Sequence, residues 1–213
     1  MSITIDGPAG AGKSTVAREL AKRLGYRFLD TGAMYRAVAW AALQNQVNLN
    51  DEVAIGKLIE AIRLEVGEGW IRVNDADVTE AIRSTDVTAA VRHVADNPTV
   101  RTYLSAEQQR LAGDGDIVTE GRDQGTFVFP QAEHKIFLTA TPEERARRRQ
   151  EQLQRHGSAP TLSEILDQQN QRDYQDAHRP VGRLVKADDA IEIISDGMEI
   201  DQVLDRIVEL LEN

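Results

Sequence analysis

A chain of 213 residues, 41% of them hydrophobic, is long enough for one compact domain with an inserted lobe and can bury a substantial core. Its 35 acidic residues outnumber 25 basic ones, for a formal charge of -10, which argues against a nucleic-acid coat or a membrane-surface binder, since both need a positive field. With no cysteine there is no disulfide framework, thiolate metal site or thiol nucleophile, and no apolar run approaches the roughly 18 residues that span a bilayer.

Ser2 to Asp6 reads as a strand ended by Gly7-Pro8; lacking a basic n-region, it predicts no secretory signal and a cytoplasmic protein. Val16, Ala17, Leu20 and Leu24 share one face of a helix from Lys13 to Leu24, and Gly25 ends it. Tyr26 to Asp30 is a second strand, Thr31 to Gln44 a helix, and Asn48 to Val53 is loop-like. Arg63-Leu64-Glu65-Val66 and Trp70-Ile71-Arg72-Val73 flank Gly67-Glu68-Gly69 as a hairpin. Helical patterns resume near Ser84 and are punctuated at Asn97-Pro98. Asp116 to Glu120 and Lys135 to Thr139 are core strands, and Thr141-Pro142-Glu143-Glu144 starts a helix, with an N-cap threonine and acids in the first turn. His156 to Pro160 is small and polar, which predicts mobility; Ala190 to Ile194 is a last strand and Ile200 to Leu211 a last helix. Strands thus alternate with helices at both ends, around a hairpin-plus-helix insert. The pattern predicts a three-layer α/β fold with a mainly parallel sheet.

Gly7-Pro8-Ala9-Gly10-Ala11-Gly12-Lys13-Ser14 matches the phosphate-binding loop G-x-x-x-x-G-K-[ST], with a strand before it and a helix after it. The glycines let backbone N–H groups wrap phosphates, and the helix start presents its positive dipole end to them. Lys13 can reach the β- and γ-phosphates and Ser14 can ligate Mg²⁺, so a nucleoside triphosphate is expected.

Four clusters bear on the acceptor. In Asp30-Thr31-Gly32-Ala33-Met34-Tyr35-Arg36, either Arg36 clamps an anion or Asp30 or Thr31 merely caps the helix. In Glu120-Gly121-Arg122-Asp123, at a strand's carboxyl end, an acid can position the Mg²⁺ shell and Arg122 can hold a phosphate. Arg145, Arg148 and Arg149 share a helix face that can neutralise a transferring phosphoryl group, or else form ion pairs such as Glu143–Arg147 and Glu144–Arg148. Arg172, Asp176 and Arg179 recur on one helical face, as an internal ion-pair ladder or as ribose and phosphate ligands. Twenty of the 25 basic residues are arginine, whose fork suits phosphate. The four histidines show no metal-ligand spacing.

Across residues 3 to about 194 these stretches resemble the bacterial cytidylate kinases, a branch of the nucleoside monophosphate kinases. The matching segments are ITIDGPAGAGKSTVA, LDTGAMYRAVAWAAL, DVTEAIRS, VTEGRDQGTFVFPQAEHKIFLTATPEERARRR, RDYQDAHR and ADDAIEI. The resemblance implies a single kinase domain: a core at about 1–32, 114–149 and 165–213, a monophosphate-binding lobe at about 33–113 enlarged by the hairpin, and a lid at about 150–164. It implies phosphoryl transfer from ATP to CMP or dCMP with Mg²⁺; the expected partners are those nucleotides alone, with no nucleic acid and no membrane, and a monomer is expected.

Carried over by residue, Gly7, Pro8, Ala9, Gly10, Ala11, Gly12, Lys13, Ser14 and Thr15 hold ATP, and Ser14 with Glu120 serves the metal. Thr31, Arg36 and Arg122 hold the CMP sugar and phosphate, while Arg101 and Asp123 face cytosine. Arg172, Asp176 and Arg179 serve ribose and phosphates. Lys13, Arg122, Arg148 and Arg149 are the catalytic set. Arg92 stands where relatives often carry a serine near the base. A switch-type GTPase would usually carry an Asn-Lys-x-Asp stretch, which this chain lacks.

Overall fold

The computed structural model describes residues 1–155 and 160–212, so most of the stretch read as mobile, His156 to Pro160, lies outside the described residues. The chain divides into two compact units, Met1–Phe28 with Gly115–Asn213, and Leu29–Asp114.

The first unit is organised by a five-stranded sheet. Its strands are β1 (Ser2–Asp6), β2 (Arg27–Asp30), which runs across the unit boundary, β6 (Ile117–Gly121), β7 (His134–Thr139) and β8 (Ile191–Ile194), in the order β2-β6-β1-β7-β8. Helices cover both faces. β1 runs parallel to β6 and β7, and β7 parallel to β8. Ile3, Thr4 and Ile5 of β1 are all fully buried, as expected of a central parallel strand covered on both sides.

Helix α1 (Lys13–Leu24) and helix α8 (Ile200–Leu211) pack on this sheet: Val16, Ala17 and Leu20 of the first and Val203, Leu204 and Ile207 of the second join Ile3, Ile5, Val118, Ile136, Leu138 and Ile193 in one core. At the end of α1 the Tyr26 N–H reaches back to the Ala21 carbonyl at 2.8 Å, beside Gly25. Helices α6 (Pro142–Arg155) and α7 (Leu162–His178) pack on each other. Thr161 and Glu164 form a capping box that starts α7. The register sets Asp6 beside Gly121, so the loops leaving β1 and β6 emerge side by side at the carboxyl edge of the sheet, where α/β folds bind ligands.

The second unit holds α2 (Thr31–Gln44), α3 (Glu52–Ala61), a three-stranded antiparallel sheet of β3 (Leu64–Gly67), β4 (Trp70–Val73) and β5 (Ala76–Asp77), then α4 (Thr85–Asp96) and α5 (Pro98–Ala112). Met34, Ala37, Val38, Ala41 and Ala42 bury one side of α2, which packs on α3, α4, α5, β3 and β4. Asn97 accepts the Val100 N–H at 3.1 Å, so the Asn97-Pro98 punctuation is the start of α5.

Three local readings need correction. The hairpin is a three-stranded sheet: Asn74 and Asp75 both adopt positive φ (48° and 70°), a tight turn that returns the chain as β5. The loop-like stretch ends in a helix, α3, capped by Asp51 accepting from the Ala54 N–H at 2.9 Å. Gly56 weakens that helix locally; a side chain there would begin 3.4 Å from Thr99 of α5, an ordinary contact distance, so nothing in the packing demands the glycine. Finally, Arg179 does not continue the α7 face: its ψ of 152° is extended, because Pro180 disfavours helical geometry in the residue before it.

Candidate active site

The phosphate loop leaves β1 at Asp6. Gly7, at φ 150°, approaches β7 so closely that a Cβ would lie 2.0 Å from the Leu138 carbonyl oxygen. Gly10, at φ 80°, sits under α6 and α7: a Cβ there would meet Gln169 Nε2 at 2.8 Å and Arg145 Cβ at 3.2 Å. Side chains are excluded at both points by backbone angle and by space.

Lys13 is buried, and its Nζ donates to the Pro8 carbonyl oxygen at 2.8 Å. Burial pulls its pKa down to about 7, the nearby Arg122 charge adds to this, and Glu120 and Asp6 oppose it. An anion arriving in the loop would offset that burial cost. Ser14 Oγ donates to Glu120 Oε1 at 3.0 Å, placing a hydroxyl and a buried carboxylate together at the helix start.

Asp6, not singled out in the sequence, closes the gap between the two loops. Its carboxylate accepts from the Gln124 N–H at 2.9 Å and the Gly125 N–H at 2.7 Å. Burial raises its pKa to about 6 despite those two bonds. They pin the turn that follows Arg122 and Asp123; Asp123 is itself buried, and its carbonyl accepts from Phe127 and Val128.

Arg122 Nε donates to Asp176 Oδ2 at 2.8 Å, and Arg179 Nη2 bonds the other oxygen of the same carboxylate. Burial alone would raise the Asp176 pKa, but the Arg122 and Arg179 charges outweigh it and hold it below the usual carboxylate range. Arg122, Asp176 and Arg179 thus form a continuous ion-paired set within the first unit.

The arginines of α6 do not act as one face. Arg145 is buried, with bonds to the Ala140 and Ala9 carbonyls and to Asp173. Arg148 bonds Glu144, Ser195 Oγ and the Ser195 carbonyl. Arg149 donates to Gln152 at 2.8 Å. Glu144–Arg148 forms as its spacing suggests, whereas Arg147 bonds Glu144 and Glu151 rather than Glu143.

In the second unit, Asp30 caps α2 by accepting the Ala33 N–H at 2.9 Å, and Thr31 is buried in the first turn. Arg36 Nη1 donates to Thr88 Oγ1 at 3.0 Å. Arg101 is buried, donating to the Ala95 carbonyl at 2.8 Å with its guanidinium over the Tyr35 ring at 5.4 Å. Arg92 is exposed. Among the described residues no three His, Cys, Asp or Glu side chains gather as a metal cluster, and no helix is long and apolar enough to cross a membrane.

Comparison with known proteins puts a family on this arrangement. The cytidylate kinase family matches residues 3–213. A cytidylate kinase of Rhodopirellula baltica (strain DSM 10527 / NCIMB 13988 / SH1) is 51% identical over 211 residues, which cover 99% of this chain and 92% of that protein. A bifunctional pantoate ligase/cytidylate kinase of Prochlorococcus marinus (strain MIT 9303) is 50% identical over 214 residues, covering 98% of this chain but 44% of that protein. The solved structure of a shikimate kinase from Bacteroides thetaiotaomicron covers 100% of this chain and 99% of its own, with a TM-score of 0.51 and 17% identity, a likeness of fold alone. A phosphate loop set on a parallel sheet, in a chain matched along nearly its whole length, places this protein in the cytidylate kinase family.

Proposed function

We propose that the protein transfers the terminal phosphoryl group of ATP to CMP or dCMP, giving ADP and CDP or dCDP. The observation that carries this reading is a buried Lys13 inside a phosphate loop, in a chain that the cytidylate kinase family matches over residues 3–213.

An acceptor phosphate oxygen attacks the γ-phosphorus while the bond to the β–γ bridging oxygen breaks. The acceptor is already a dianion near neutral pH, so no general base is required. Catalysis is then positioning and charge stabilisation. Lys13 would follow the charge on the β- and γ-phosphates, and the backbone from Gly7 to Thr15 would hold the donor. Arg122 would contact the acceptor phosphate, with Asp176 orienting its guanidinium. Arg148 and Arg149 are proposed for the lid side.

Mg²⁺ fits the residues present. Ser14 and Glu120 offer hard oxygen donors, and this ion takes few protein ligands, leaving the rest to phosphate and water. Bound there, it would neutralise phosphate charge; Ser14 would supply a direct ligand and Glu120 would hold its hydration shell.

For the acceptor we propose Thr31, Arg36, Arg101, Asp123, Arg172 and Arg179 beside Arg122 and Asp176, with Arg101 and Asp123 reading cytosine. The stretch at about 33–113, which falls within the compact unit Leu29–Asp114, would be the monophosphate-binding lobe and the stretch around 150–164 the lid. A cytoplasmic monomer that binds no nucleic acid is the expected setting.

A coupled ADP-release assay with CMP, dCMP, UMP, AMP and no acceptor tests the reaction. Turnover is expected with CMP and dCMP and little without an acceptor. Acceptor-independent ATP hydrolysis at the same rate would sink it.

A further inference from the structure

We propose that Asp173, together with Arg145, is a positioning residue for the phosphate loop, fixing the two peptide planes on either side of Ala9 so that the loop keeps its shape when Lys13 turns to phosphate. The proposal rests on the ATP-binding reading above.

Three bonds carry it. The Ala9 N–H points to Asp173 Oδ1 at 3.4 Å, Arg145 Nη1 donates to the Ala9 carbonyl at 2.9 Å, and the same Nη1 donates to Asp173 Oδ2 at 2.6 Å. They close a ring around one residue. The N–H of Ala9 belongs to the Pro8–Ala9 peptide and its carbonyl to the Ala9–Gly10 peptide, and a trans peptide is a rigid plane. Holding one atom of each therefore sets where both planes point.

The first of these planes is the one whose oxygen accepts from Lys13. Lys13 and Asp173 thus grip opposite ends of a single peptide. When a phosphate draws Lys13 away from the Pro8 oxygen, Asp173 is the anchor that remains. In the second plane, Arg145 takes the Ala9 oxygen, so the Gly10 N–H is aimed away from Arg145. The direction of such N–H dipoles is what an anion-binding loop must preorganise.

Neighbouring contacts make the arrangement stiff. Gln169, one turn before Asp173 on α7, donates to the Arg145 carbonyl at 3.2 Å and packs against Gly10. The Arg145 side chain is 5% exposed and that of Asp173 21%, so the pair is shielded from water. A shielded ion pair is often no more stable than an apolar pair, so its use here lies in directing a specific peptide. The same helix face carries Asp176, which holds Arg122 at 2.8 Å. Helix α7 accordingly sets the donor loop and Arg122 in one register.

The test is Asp173→Asn, measured by calorimetry for MgATP and for CMP separately and by initial rates. The expected result is a loss of ATP affinity of roughly ten- to a hundredfold, as for a broken charge-assisted bond, with a matching rise in KM for ATP. CMP affinity should stay within about twofold, and Asp173→Asn with Arg145→Lys should lose less than the product of the two single losses. Unchanged ATP affinity, or equal losses for ATP and CMP, would overturn the proposal. If Asp173→Asn does not fold, Arg145→Lys, which keeps the charge and removes one arm of the fork, is judged by the same split. Wild-type protein that bound no ATP would overturn the kinase reading instead.

Discussion

Lys13 Nζ lies 2.8 Å from the Pro8 carbonyl oxygen, so the loop's cation is bonded to the loop's own backbone. This bond gives the buried Lys13 side chain a partner within its own loop. Lys13→Met should lower kcat on the order of 10²–10³-fold, the usual effect of deleting one transition-state charge contact. Its melting temperature should stay within a few degrees, because a costly buried charge is removed along with its bond. Unchanged turnover in the purified variant refutes the assignment.

The loop glycines should rank by what surrounds them. Gly7→Ala drives a Cβ into a backbone carbonyl and should abolish folding or come close to it. Gly10→Ala meets Gln169 and Arg145 and should destabilise by about 2–3 kcal/mol, combining left-handed strain with displaced packing. Gly12→Ala, with open space around it at φ 87°, should show the strain alone, about 1–2 kcal/mol. Urea unfolding of the three variants checks the order, and a Gly12 variant worse than Gly7 contradicts it.

Asp6 gives the fold a pH dependence with a definite sign. Burial raises its pKa from 3.8 to about 6, so between those values the folded chain holds a proton that the unfolded chain has lost. The stability contributed by this group is fully present below the unfolded pKa and disappears as pH rises through about 6. The full swing is about 3 kcal/mol, at 1.36 kcal/mol per pH unit. Asp6→Asn cannot titrate. The unfolding free energy of the wild type relative to Asp6→Asn should therefore fall between pH 4 and pH 7.5, and a flat difference argues against the raised pKa.

Asp123 should carry base selection. A carboxylate accepts from the cytosine amino group but meets a carbonyl oxygen in uracil, and Arg101 suits the cytosine N3 and O2 acceptors better than the uracil N3–H. Each unpaired buried group costs about 1–3 kcal/mol, so CMP should be preferred to UMP on the order of 10²–10⁴-fold in kcat/KM. Asp123→Ala should narrow that ratio mainly by losing CMP activity. A ratio left intact would separate Asp123 from base reading while leaving the kinase assignment standing.

Much of this was legible in the chain itself because it is encoded locally. The phosphate loop is a contiguous run, Gly7 to Ser14, that matches its motif residue by residue between a strand and a helix. The α/β class follows from strand and helix periods, with β1, α1, α2 and α8 each bounded by their own turn and cap residues. What the sequence could not supply was long-range partnership. Arg145, Arg148 and Arg149 share a helical spacing, yet Arg145 turns inward to Ala9 and Asp173, Arg148 ties down Ser195, and Arg149 stays with its own helix. Asp6 is an ordinary strand end until the parallel register brings the Gln124 and Gly125 N–H groups to it. Asp173 stands 164 residues from the Ala9 peptide it holds. Spacing along a helix tells which side chains lie together, but only packing decides which of several equivalent arginines is buried against a carbonyl and which faces solvent, because burial makes each backbone group find a partner from whatever element the fold sets beside it.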